Sequence, residues 1–109
     1  AIQYTVTVQS VSSGNRYFIN GVQQPTLDLV EGETYRFNQN DSSNANHPLR
    51  FSTTSNGTHG GGAEFTQGVT KVGISGNSDA YIQITVPIGT PTLYYYCANH
   101  SLMGGIANT

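Results

Sequence analysis

The sequence predicts an all-β fold, an antiparallel Greek-key β-sandwich with little helix, spanning residues 1–109 as one domain. Three observations carry that expectation. Apolar residues recur with period two along most of the chain, the spacing of a strand with one buried face. Gly, Pro and Asn interrupt these runs at roughly 8–12-residue spacing, as in a sandwich of short strands. No apolar stripe of helical period is long enough to bury a helix face.

The first strand is expected over residues 2–9, where Ile2, Tyr4, Val6 and Val8 alternate with polar residues. A second follows over 16–19 and ends at Asn20-Gly21, a pair that tolerates positive φ and so favours a tight hairpin turn. Residues 27–30 form the next, and Glu31-Gly32-Glu33 turns the chain into a strand over 34–37. Further strands are expected over 48–53, 80–86 and 92–96. A Gly-, Ser- and Thr-rich loop covers 54–62, and its Gly60-Gly61-Gly62 run lacks the strand and helix that flank a phosphate loop.

Composition narrows the function. The 109 residues carry four Lys or Arg and six Asp or Glu, a net charge of −2. The cations Arg16, Arg36, Arg50 and Lys71 are scattered, so nucleic acid is not an expected partner. No apolar run approaches the ~20 residues of a membrane-spanning helix, and residues 2–9 alternate rather than forming the apolar block of a signal peptide. Seven Tyr, four Phe and many Val and Ile supply enough apolar surface to fold. With one cysteine, no intramolecular disulfide forms.

That cysteine stands in Tyr96-Cys97-Ala98-Asn99-His100-Ser101-Leu102-Met103, which places a thiolate, an imidazole and a thioether at Cys-x2-His-x2-Met. Sulfur and imidazole donors together suit copper, and two His with one Cys and a weak axial Met make the blue-copper set. The second histidine is expected to be His47, in Asn46-His47-Pro48-Leu49, where a loop enters a strand. The metal ligands are therefore His47, Cys97, His100 and Met103, holding one copper ion. Zinc is the rival metal for a His2Cys set, but it has little use for a thioether. A Cys97–His100 nucleophile pair finds no further support, and the chain is not expected to be an enzyme. His59 has no acidic or cysteine neighbour in sequence and reads as a solvated loop histidine. Asn40, Asn56 and Asn99 each head an N-glycosylation acceptor triplet, here taken as chance matches.

These residues resemble the cupredoxins. The family places one His at the start of a strand and a Cys…His…Met loop near the C-terminus, after a Pro-Gly-Thr-Tyr-like turn and strand. This sequence matches at Pro87, Gly89, Thr90, Tyr94 and Tyr96, then at Cys97, His100 and Met103. The Cys-to-Met spacing is similar to the short loop of amicyanin-type members; plastocyanin-type members have a longer gap before Met. One position departs: many cupredoxins carry Asn after the upstream His, with a backbone N–H that donates to the cysteine sulfur. Pro48 stands there and has no N–H.

The resemblance implies one-electron transfer by copper cycling between Cu(I) and Cu(II), with His47, Cys97 and His100 in a trigonal plane and Met103 axial. It implies a redox partner protein docking near His100, on a patch with Pro48, Ala98, Leu102 and Ile106. The expected state is a monomer in an extracytoplasmic compartment, periplasmic or secreted. The alternative is a copper-binding module of a larger extracellular or particle-surface protein with a structural or adhesive role. Copper storage or delivery is a third option.

Overall fold

The computed structural model describes residues 1–109. Strands β1 (Ile2–Val11), β2 (Gly14–Ile19) and β3 (Val22–Gln23) open the chain, followed by β4 (Leu27–Asp28) and β5 (Thr34–Asn38). Then come β6 (Leu49–Ser52), β7 (Glu64–Phe65), β8 (Val69–Val72), β9 (Tyr81–Thr85), β10 (Leu93–Cys97) and β11 (Gly105–Asn108). One sheet has the order β3-β2-β1-β5-β9-β8 and the other β4-β11-β10-β6-β7. The chain crosses between the sheets after β3, β4, β5, β7 and β9, which gives the all-β sandwich that the alternation predicted.

The period-two logic is visible in the core. Tyr35 and Phe37 of β5, Phe51 of β6, Ile82 and Ile84 of β9, and Leu93, Tyr95 and Cys97 of β10 all point inward and are buried. Their intervening neighbours Arg36, Gln83 and Tyr94 are only partly covered. Inward side chains of the two sheets meet directly: Phe37 packs edge-on against Phe51, ring centroids 5.4 Å apart. The Asn20-Gly21 turn has φ of 50° and 80°, the two positive values a tight hairpin needs.

Four features differ from the sequence expectation. Both sheets are mixed, because β1 runs parallel to β5 and β11 parallel to β4. The strand expected over 27–30 ends at Asp28, although Leu29 continues one bond further to Asn108 O. Four short strands, β3, β7, β8 and β11, had no periodic signal. The loop over 54–62 contains a 3-10 turn, Gly57–Gly60, and is braced rather than loose: Gly57 packs so closely on the Tyr96 ring that a Cβ there would lie 2.5 Å from Tyr96 Cγ. Where β7 and β8 close the open side of the sandwich, Glu64 of β7 pairs with Lys71 of β8 at 2.5 Å. No helix is long and apolar enough to cross a membrane.

Candidate metal centre

Cys97 is the last residue of β10 and pairs with Leu49, the first residue of β6. Alternation from Leu93 and Tyr95 turns its side chain into the core, where it is wholly buried. Because the two strands are antiparallel and their ends coincide, the segment entering β6 and the segment leaving β10 lie side by side. His47 comes from the first and His100 from the second. Two bonds stitch the segments together beyond the sheet: Ala98 N–H donates to Pro48 O at 3.0 Å, and Asn99 Nδ2 to Asn46 O at 3.0 Å.

The three donors converge. His47 Nδ1 lies 3.7 Å and His100 Nδ1 3.8 Å from Cys97 Sγ, and all three donor atoms lie within 4.8 Å of one another. The imidazole rings sit 4.7 Å apart, tilted by 51°. These sulfur–nitrogen distances test whether a metal fits. With metal–sulfur and metal–nitrogen bonds of ~2.3 and ~2.05 Å, a trigonal angle separates the donors by roughly 3.8 Å and a tetrahedral one by roughly 3.6 Å. The two pairs, at 3.7 and 3.8 Å, fall within this range, so the sulfur–nitrogen separations are compatible with one shared ion in either geometry.

Burial supports the same chemistry. Desolvation, and secondarily the neighbouring His100, push the half-buried His47 imidazole below the usual histidine range, toward the neutral form that ligates. His100 is exposed, so one edge of the group faces solvent. Met103 arrives at the same end of the sandwich, buried in the cluster that holds Cys97 and Leu49, and it borders the cavity beside His100 and His59. Leu102, between them, is exposed with φ of 66°, a left-handed value unusual for leucine; its N–H is held by Asn56 Oδ1 at 2.8 Å.

The Cys97 sulfur lies within hydrogen-bonding reach of the two imidazole nitrogens, and Pro48 offers it no main-chain N–H.

Several residues at the site carried no sequence signal. His59 is exposed, but its Nε2 lies 2.8 Å from Cys97 O. A carbonyl only accepts, so Nε2 carries the proton and the ring is tethered to the candidate ligand's own peptide. Its partner lies 38 residues away in sequence, which is why the local reading left it solvated. Behind His47 stands a buried polar network. Gln39, just past β5, donates from Nε2 to His47 O at 2.8 Å and to Asn44 Oδ1 at 3.0 Å, and accepts at Oε1 from Leu49 N–H at 2.9 Å. Asn44 Nδ2 donates in turn to Val6 O of β1 at 2.8 Å. Tyr17 of β2 donates its hydroxyl to His47 O at 2.6 Å and its backbone N–H to Met103 O at 2.9 Å. Burial, then the adjacent Cys97, hold the Tyr17 hydroxyl well above the usual phenol range, so it remains a donor.

The glycosylation triplets read differently against this geometry. The Asn99 amide nitrogen is committed to Asn46 O and the Asn56 side chain to Leu102 N–H, so both are parts of the loop framework. Compared with known proteins, the chain matches no family model, no curated protein and no solved structure, and the functional reading rests on the site itself.

Proposed function

We propose that this chain is a type 1 copper protein that passes single electrons between redox partners, with His47, Cys97 and His100 as the principal ligands and Met103 as the weak axial one. The observation that carries the reading is the placement of two imidazole Nδ1 atoms 3.7 and 3.8 Å from one buried cysteine sulfur. Copper bound there would supply a Cu(I)/Cu(II) couple, for which sulfur with imidazole is the matching donor set. Zinc is disfavoured by the donor types rather than the spacings, since it has little use for the thioether of Met103.

The chain's own residues explain how such a site would work. Cys97 is fixed by strand pairing with Leu49, and the two ligand segments are tied by Ala98–Pro48 and Asn99–Asn46 bonds. Donors held this way move little when charge changes, which keeps reorganisation small. His100 is the one ligand at the surface, and Leu102 and Ile106 are exposed apolar side chains on the same part of the chain. A partner would meet the site there, in a small and brief contact. The reading is that of a carrier rather than an enzyme, working outside the cytoplasm as a monomer.

Copper(II) added to the metal-free protein tests the proposal. The expected result is an intense visible thiolate-to-copper band that Cys97→Ser abolishes. A colourless copper-loaded protein under oxidising conditions refutes it. Slow electron self-exchange in a coloured protein would move the role from carrier to structural module.

A further inference from the structure

The carbonyl of His47 receives two hydrogen bonds from buried side chains, Tyr17 Oη at 2.6 Å and Gln39 Nε2 at 2.8 Å, which fill both of its lone pairs. The same Gln39 amide reaches past Pro48 to accept the Leu49 N–H at 2.9 Å. One side chain thus grips the main chain on both sides of a residue that has no N–H of its own. Gln39 is held in turn by its backbone, through Gln39 N–H to Ala80 O and Gly76 N–H to Gln39 O, each at 2.8 Å. Tyr17 is wholly buried and Gln39 nearly so.

We propose that Gln39 and Tyr17 are positioning residues that clamp the His47–Pro48–Leu49 backbone and so aim the His47 imidazole at Cys97 before any metal binds. The inference rests on the copper reading for its purpose, though the clamp itself is a feature of the metal-free chain. With proline fixing φ at 48 and the clamp fixing the peptides either side, His47 retains only its side-chain torsions. Those two torsions then decide whether Nδ1 meets the sulfur. Tyr17 extends the clamp to the second segment through its backbone bond to Met103 O, so one residue spans the His47 and Met103 ends of the site. Neither donor is needed to fill space: phenylalanine and methionine would occupy the same volumes. A polar network buried this deeply is costly unless complete, and each member here finds its partners.

The test compares wild type with Gln39→Met and Tyr17→Phe, using Cu(II) in competition with a chelator. Both variants should bind Cu(II) about 10–100-fold more weakly, the usual consequence of removing a group that orients a ligand. Their visible band and electron paramagnetic resonance spectrum should shift. Ser52→Ala serves as the control. It deletes a buried hydroxyl bonded to Ala63 O at 2.7 Å on the far end of β6, and should lower stability while leaving affinity and spectrum unchanged. In the metal-free proteins, NMR of the His47 ring should show one ordered conformation in wild type and averaging in the variants. Folded variants with wild-type affinity, spectrum and ring order would overturn the proposal. If Gln39→Met does not fold, Tyr17→Phe decides alone. If wild type binds no copper, the proposed function fails, and the ring-order comparison still decides the clamp.

Discussion

Gly104 follows Met103 directly, and its missing side chain sets how closely the metal loop packs on β10. A Cβ at this position would lie 2.6 Å from the Tyr95 carbonyl carbon and 3.0 Å from Tyr96 Cα, and nearer still to the Tyr95 oxygen. All three are main-chain atoms, so no side chain can swing aside. Gly104→Ala therefore forces the loop and β10 apart by roughly an ångström, an overpacking that costs ~1–3 kcal/mol. The Tyr95–Gly105 pairing that starts β11, and the Gln24 Nε2 bond to Gly104 O at 2.8 Å, stretch with it, adding about 1 kcal/mol each. The sum is about 3–5 kcal/mol. At ~4–8 °C per kcal/mol, Tm should fall by at least about 12 °C. Gly61→Ala is the comparison. With φ of 84° and nothing within 4 Å, it meets backbone strain alone, about 1 kcal/mol. Thermal and urea unfolding of the metal-free proteins measure both. The copper spectrum of Gly104→Ala should also change, because Met103 is carried with the loop. A Gly104→Ala protein no less stable than Gly61→Ala would refute the packing account.

Two further outcomes are expected. Pro48→Asn restores the main-chain N–H that position 48 lacks; donated to the sulfur, it would weaken thiolate donation and favour Cu(I). The reduction potential should rise by tens of millivolts, about 59 mV being a tenfold change, as read by redox titration. An unchanged or lower potential with the new N–H seen on Sγ would defeat the reasoning. Burial keeps the Tyr95 hydroxyl, which donates to Pro25 O at 2.7 Å, protonated well above the usual phenol range. Above about pH 10 the unfolded chain releases this proton while the native chain holds it, so stability falls as pH rises. Urea midpoints between about pH 9 and 11 should decline, and less steeply in Tyr95→Phe.

Strands β1, β2, β5, β6, β9 and β10 were legible because each has one buried face, which imposes alternation on the sequence. β8, β7, β3 and β11 were not, for a physical reason. Val69–Val72 and Glu64–Phe65 lie at sheet edges and Val22–Gln23 at another, while Gly105–Asn108 lies between β10 and β4 with Ala107 its one buried residue. Edge strands, two-residue strands and a strand with a single buried residue bury too little to leave a period. The parallel β1–β5 and β4–β11 pairings were equally silent, since partner choice across the chain is set by packing rather than by local pattern.

The site divides along the same line, and the division explains itself. Few side chains can bind a soft metal, so Cys97, His100 and His47 announce themselves by type and order, and the fold brings their donor atoms together. Almost any polar side chain can hold a carbonyl, so Gln39 in Asn38-Gln39-Asn40 looks like a solvated turn until its partners, eight and ten residues onward, are known. Tyr17 likewise reads as an ordinary inward strand residue; only its hydroxyl, 30 residues from the carbonyl it meets, distinguishes it from phenylalanine. Chemistry that depends on element type can be read from sequence alone. Chemistry that depends on aim must be read from structure, and in this chain the aim of His47 is set by residues with no metal-binding chemistry of their own.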